Sequence, residues 1–321
     1  ERHDTRELIL KREHSNNNLI PGFEIQYLIL YQVSLSKGRR GAGDQTRVRE
    51  AMPLSGDIDV VCSAPGKIIL FGEHSVVHGR PAVAASAGGA LRCYARVRVV
   101  QPSQSPPSDV PRPRVTLQLD SFGVSIEWSV SDLRTQLLLD SRAERGAATP
   151  CSTPGPASSP HRVDGELREA LDSAATTAVR SLADGESVRE AVLAFLYLFG
   201  SLWCVSAAAP KTAEGDVLVQ VWSTLPVGAG MGSSASYSVA LAAALLQAAE
   251  GPASLGASKM PSTAGGEPGS IALRTAANKW AFECERLFHG APSGVDNTVC
   301  SLGAMRHLLA WHLRASSLEE T

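Results

Sequence analysis

Three short segments of the chain gather residue types able to do chemistry. In Leu225–Ala249, LPVGAGMGSSASYSVALAAALLQAA, Gly228, Gly230 and Gly232 stand on alternate positions, and Ser233 and Ser234 open an alanine-rich run that favours helix. Glycines let backbone N–H groups approach a ligand closely, and a helix start adds unpaired donors and the positive end of its dipole. That combination makes an anion site, best suited to phosphate. It is neither the G-x-x-x-x-G-K-[ST] loop nor the G-x-G-x-x-G dinucleotide fingerprint. A glycine turn followed by a serine N-cap is the competing reading of the same residues. The second segment, Ala64–Gly79 (APGKIILFGEHSVVHG), sets Lys67 behind Pro65-Gly66 and the pair Glu73-His74 behind Gly72. Alone, a lysine there belongs to the surface and a histidine to structure. His74 and His78 make no convincing metal pair, because Gly79 and the β-like residues around them oppose the helix that i, i+4 ligation needs. In the third, Glu283–Asn297 (ECERLFHGAPSGVDN), a helix carrying Glu283 and Glu285 stops at His289-Gly290, and a proline-serine-glycine turn presents Asp296.

The rest of the chain must position these segments, and its bulk properties limit what they can serve. The 321 residues, 44% hydrophobic, suffice for about two domains. Lys+Arg 30 against Asp+Glu 32 gives a net charge of -2, which provides no general field for nucleic acid or anionic lipid. The six cysteines include no C-x-x-C pair, so a zinc cage is unsupported, and they are too sparse for a disulfide scaffold. Most lie in apolar runs where a thiol packs as a small hydrophobe, which fits a reducing, cytosolic setting.

Short β-branched runs at Val60–Ser63, Ile68–Phe71 and Val76–His78, split by glycine turns, predict consecutive strands. Leu91–Val100, Val115–Leu119, Val124–Trp128 and Val217–Trp222 predict further strands. Gln101–Arg114, Ser141–Gly165 and Gly251–Ser270 read as loops. Helical spacing runs from about Glu166 to Ala209 with a break near Gly185, and again over Ser234–Glu250 and Ala272–Phe288. Ala191–Ala209 carries no formal charge over nineteen residues, close to a membrane span. Gly200, Ser201 and Ser206 within it, and the lack of a basic flank, favour a helix buried in a core. Residues 1–51 carry charged clusters and no signal peptide, and are expected to lie outside the fold. Leu308, Leu309, Trp311 and Leu313 suggest a short helix near the end.

Together the three segments resemble the GHMP kinase superfamily, whose phosphate loop runs P-x-x-G-L-G-S-S, and within it the mevalonate kinase family. The resemblance rests on APGKIILFGEHSVVHGRPAVA, AVLAFLYLF, VWSTLPVGAGMGSSASYSVALAAALL and NKWAFECERLFHGAPSGVDNTV, and covers Ile58 to Gly303. It implies an α/β fold of the α+β kind, the N-terminal GHMP domain similar to the second domain of ribosomal protein S5, over residues 57–303. Residues 1–56 are then expected to be an N-terminal extension and 304–321 a divergent tail, with the ferredoxin-like C-terminal domain of the family expected to be missing.

The resemblance also implies an activity: phosphorylation of the mevalonate 5-hydroxyl by ATP to give 5-phosphomevalonate, an early step toward isoprenoids and sterols. Gly228, Ala229, Gly230, Met231, Gly232, Ser233 and Ser234 would wrap the ATP phosphates, with Ser223 and Lys67 also at the nucleotide. Met231 replaces the usual leucine with a similar volume. Ser234 and Glu285 would hold Mg²⁺, a hard cation that prefers oxygen. Asp296 would take the proton of the attacking hydroxyl, with Lys67 beside it to offset charge on the transferring phosphoryl group. Glu73, His74 and Tyr237 match positions around the substrate. The implied partners are ATP and mevalonate, with no nucleic acid and no membrane; the implied location is cytoplasmic, with peroxisomal association as the family's alternative, and homodimers are usual for the family. Without the family's second domain, ATP binding is expected to persist and transfer to weaken. The alternative reading is an inactive or weakly active nucleotide-binding fragment.

Overall fold

In a computed structural model, residues 58–72, 82–87, 91–100, 113–139, 160, 162–182, 185–204, 215–226, 228–249, 268–303 and 305–308 are described. Five strands form the main sheet: β1 (Ile58–Pro65), β4 (Arg92–Val100), β5 (Arg114–Leu119), β6 (Val124–Ser129) and β7 (Asp216–Ser223). Their order is β1-β4-β7-β5-β6, antiparallel except for the parallel β5–β7 pair. A second sheet, β2-β3-β8, joins β2 (Lys67–Phe71), β3 (Ala82–Ser86) and β8 (Met305–Leu308), all antiparallel.

Alternation decides which face is buried. Ile58, Val60, Cys62 and Ala64 on β1, Cys93, Ala95, Val97 and Val99 on β4, and Val217, Val219 and Val221 on β7 all enter one core. The residues between them, among them Asp59, Tyr94, Arg96, Gln220 and Trp222, stay partly exposed on the other face. There Tyr94 stacks on Trp222 with centroids 5.2 Å apart, and Arg96 grips Asp59 through two bonds of 2.7 and 2.6 Å.

The helices are α1 (Val130–Gln136), α2 (Gly165–Val179), α3 (Gly185–Phe199, continued as a π-turn over Gly200–Cys204), α4 (Ser233–Ala249), α5 (Pro268–His289) and α6 (Val295–Leu302). Helix α4 lies on β1 and β4, α5 packs beside α4, and α6 bridges α4 and α5 to the second sheet. The expected break in the first helical run falls between α2 and α3. A Cβ on Gly185 would stand 2.6 Å from the Val179 carbonyl oxygen, so glycine is what lets the second helix start so close to the end of the first.

The described part of the uncharged stretch, residues 191–204, is the end of α3 and its π-turn, buried on every side from Val192 to Phe199. Its Phe195 and Phe199 stand in a stacked row from Trp128 to Trp203, with Tyr197 against Trp280 on another side. Apolarity all round a helix here serves a core, and among the described residues no helix is long and apolar enough to cross a membrane.

The end of the chain departs from expectation. Residues 305–308 form β8 against β3, with Met305 opposite Ala85 and Leu308 opposite Ala82; of the residues that suggested a helix only Leu308 falls in this strand, and Leu309, Trp311 and Leu313 lie outside the described residues. The free backbone groups of β3 offer a ladder of hydrogen bonds that local helical spacing cannot match. Residues 309–321 and the expected strand at Val76–His78 lie outside the described residues, as do residues 1–57.

Candidate active site

The glycine segment takes the backbone form its spacing suggested. Gly228, Gly230 and Gly232 have φ of 73°, 66° and 65°, a left-handed alternation that side chains resist. Gly232 caps α4: its carbonyl accepts the first helical bond, from Ser236 N–H at 2.9 Å. The N–H groups of Ser233, Ser234 and Ala235 precede that bond and have no acceptor within the helix. Ala229 and Ser233 are exposed, Met231 and Ser234 half-buried, so the first turn of α4 stands at the surface. The hydroxyl of Ser236 donates to the Ala64 carbonyl at 2.7 Å, anchoring α4 to the end of β1.

Lys67 follows directly. Its N–H donates to the Met231 carbonyl at 2.9 Å, so the start of β2 is tied to the glycine segment. Its side chain, 7% exposed, runs under Gly232, where an added Cβ would meet the Lys67 Cγ at 2.8 Å and Asp296 Oδ2 at 3.6 Å. Lys67 Nζ lies 3.2 Å from Asp296 Oδ2. Three segments far apart in sequence therefore meet at one corner, with Asp296 one-third exposed toward solvent.

The turn before α6 brings Asp296 there. Gly294, the N-cap, has φ 72°, and a Cβ on it would meet the Phe282 ring at 3.1 Å. Glu285 sits behind, 6% exposed on α5. Burial first and the charge of Asp296 second push its pKa up to about 8, while the Asn297 N–H and Lys67 pull the other way. Such a carboxylate suits a hard cation, which would neutralise the second negative charge. No group of three or more His, Cys, Asp or Glu able to cage a metal occurs among the described residues. One carboxylate and one hydroxyl fit Mg²⁺, which keeps waters and phosphate oxygens as its other ligands.

Ser223 ends β7, where its hydroxyl accepts from Leu225 N–H at 3.1 Å and shapes the exit toward the glycines. Tyr237 is buried in α4 with its hydroxyl donating to the Ala191 carbonyl at 2.8 Å, so that group is engaged in helix packing. Glu73 and His74 lie outside the described residues. Cys62 and Cys93 are buried, their thiols pushed up to about 12 by burial, as packing residues rather than nucleophiles. Sequence reading missed Asn278 and Asn297, which join α5 to α6 behind the carboxylates. The available signal was that Asn278 and Glu285 stand seven residues apart, on one helix face.

Comparison with known proteins relates part of this chain to a family. Residues 196–304, which hold both the glycine segment and Asp296, match the GHMP kinases N terminal domain. Over those residues the chain is similar to the GHMP kinase superfamily. It is 39% identical to human mevalonate kinase over 258 residues, 77% of this chain and 53% of that protein. It is 35% identical to Arabidopsis thaliana mevalonate kinase over 254 residues, 77% of this chain and 56% of the relative. The chain thus spans about half the length of the curated relatives it matches. Among solved structures, Methanococcus jannaschii mevalonate kinase aligns over 79% of this chain and 54% of its own, with TM-score 0.45 and 15% identity.

Proposed function

We propose that this chain is the nucleotide-binding part, over residues 57–303, of a kinase that transfers the γ-phosphoryl group of ATP to the 5-hydroxyl of mevalonate. The observation that carries the reading is the corner itself, with the Asp296 carboxylate and the Lys67 ammonium 3.2 Å apart beneath Gly232. The choice of mevalonate rests on likeness to the mevalonate kinases.

In this reading the phosphates lie along Gly228–Ser234, held by main-chain N–H groups and the α4 dipole. The substrate hydroxyl oxygen attacks the γ-phosphorus as the bond to the bridging β–γ oxygen breaks, and ADP leaves. Asp296 takes the hydroxyl proton, and Lys67 offsets charge on the transferring group. Ser234 and Glu285 would hold Mg²⁺, which when bound neutralises phosphate charge. Ser223 supports the nucleotide side of the loop, and Glu73 and His74 serve substrate recognition. The proposal extends to a cytoplasmic, homodimeric enzyme.

The test is to incubate the chain with ATP labelled at the γ-phosphate and either mevalonate, homoserine or galactose, the alcohols of three sister families. Label appearing on mevalonate alone supports the proposal. Label on another alcohol overturns the substrate. Measurable ATP binding with no label on any alcohol favours the alternative, a nucleotide-binding fragment.

A further inference from the structure

Behind the two carboxylates, α5 and α6 are joined by a buried polar contact that the reaction as described leaves unused. The side chain of Asn297, 2% exposed, donates through Nδ2 to Asn278 Oδ1 at 2.6 Å and to the Asn278 carbonyl at 3.2 Å. One position away on the same residue, the Asn297 backbone N–H donates to the Glu285 carboxylate. Asn278 and Glu285 lie two turns apart on one face of α5, so Asn297 is gripped at two points about 10 Å apart along that helix. The amide orientation is forced, because a flipped Asn297 would set its oxygen against both Asn278 oxygens. In the orientation held, Asn297 Oδ1 is buried and makes no hydrogen bond among the described residues. An orphaned buried acceptor costs about 1–3 kcal/mol. Burial of this group is accounted for by what it aligns: Asp296 is its immediate neighbour in the first turn of α6, and Glu285 is its other partner.

We propose that Asn297 and Asn278 form a positioning pair that fixes the Asp296 carboxylate against Lys67 and in register with Glu285, so that proton acceptor and metal ligand are set by one clamp. The inference rests on the kinase reading. Neither asparagine touches the reacting atoms, and the effect is read through Asp296. A displacement of about 1 Å at a reacting group costs on the order of 100-fold in rate, so loosening the clamp lowers kcat strongly. The glycine segment, which the pair does not touch, keeps its hold on ATP.

The experiment compares Asn278→Leu, which removes the side-chain acceptor, with Asn278→Asp, which keeps an oxygen facing Asn297 Nδ2, in the same chain. Asn278 is the half-buried member, so both variants fold more readily than a change at Asn297. kcat and KM for ATP are measured with thermal melting alongside. The expected result is a kcat about 30- to 100-fold lower for Asn278→Leu, a KM for ATP within about twofold of the wild type, and rescue to within about threefold by Asn278→Asp. Equal kcat in Asn278→Leu and wild type overturns the pair while leaving the kinase reading standing. A fall in kcat that Asn278→Asp shares, or that follows melting temperature with KM rising in step, assigns the pair a structural role and overturns the proposal too. Absence of transfer in the wild type removes the kinase reading and this inference with it.

Discussion

Asp296 and Glu285 are two carboxylates in one corner with different environments, and their difference can be measured. Asp296 stands one-third exposed beside Lys67, while Glu285 is buried with its pKa raised to about 8. A carboxyl whose folded pKa exceeds its unfolded value adds stability below the unfolded pKa and loses it as pH rises through the folded one. Without bound metal, the protein should therefore lose stability between about pH 4.5 and about pH 8. At about 1.4 kcal/mol per pK unit the loss is a few kcal/mol. Glu285→Gln should flatten that slope in a series of urea titrations, and a slope equal to wild type would place its cause elsewhere. The glycines divide similarly. Gly228→Ala meets no atom within 4 Å and bears only the cost of its φ of 73°, about 1–2 kcal/mol, whereas Gly232→Ala also drives a methyl into Lys67. Calorimetric titration should show ATP binding weakened at least tenfold more by the second than by the first.

Between elements, what the sequence reveals depends on whether the physical cause is local. Left-handed glycines opening a helix are dictated by neighbours in the chain, so the Gly228–Ser234 turn could be read directly, as could the alternation that buries Val217, Val219 and Val221. The Gly185 break was visible too, though its reason, the Val179 carbonyl 2.6 Å from a would-be Cβ, is a tertiary contact. Overpacking of that kind costs about 1–3 kcal/mol, so Gly185→Ala should lower the urea midpoint with little effect on nucleotide affinity. The Asn278–Asn297 contact joins two helices across a turn: spacing sets Asn278 on the same face of α5 as Glu285, but gives no sign of its partner on α6. Strand β8 was hidden because its partner, β3, lies more than two hundred residues earlier in the chain. Backbone pairing across such a distance leaves no local pattern.

Over the described residues, one core under one face of the five-stranded sheet carries α4 and α5, and a smaller cluster of Ala82, Ala84, Val295 and Val299 seats α6 on the second sheet. Helix α3 fills the centre of the larger core with Phe195 and Phe199, and it is this role that explains an uncharged stretch long enough to suggest a membrane. Phe195→Ala should cost about 3–5 kcal/mol of stability, seen as a lower denaturation midpoint. The proposed transfer requires that distant segments meet so that Asp296 receives a proton while main-chain amides hold the phosphates. Its most direct test is γ-phosphate transfer to mevalonate by wild type and Asp296→Asn, with ATP affinity measured on both. Label is expected in the wild type, at least about a thousandfold less in the variant, the scale of a lost general base, with unchanged nucleotide affinity. Equal transfer by the two proteins would contradict the proposal.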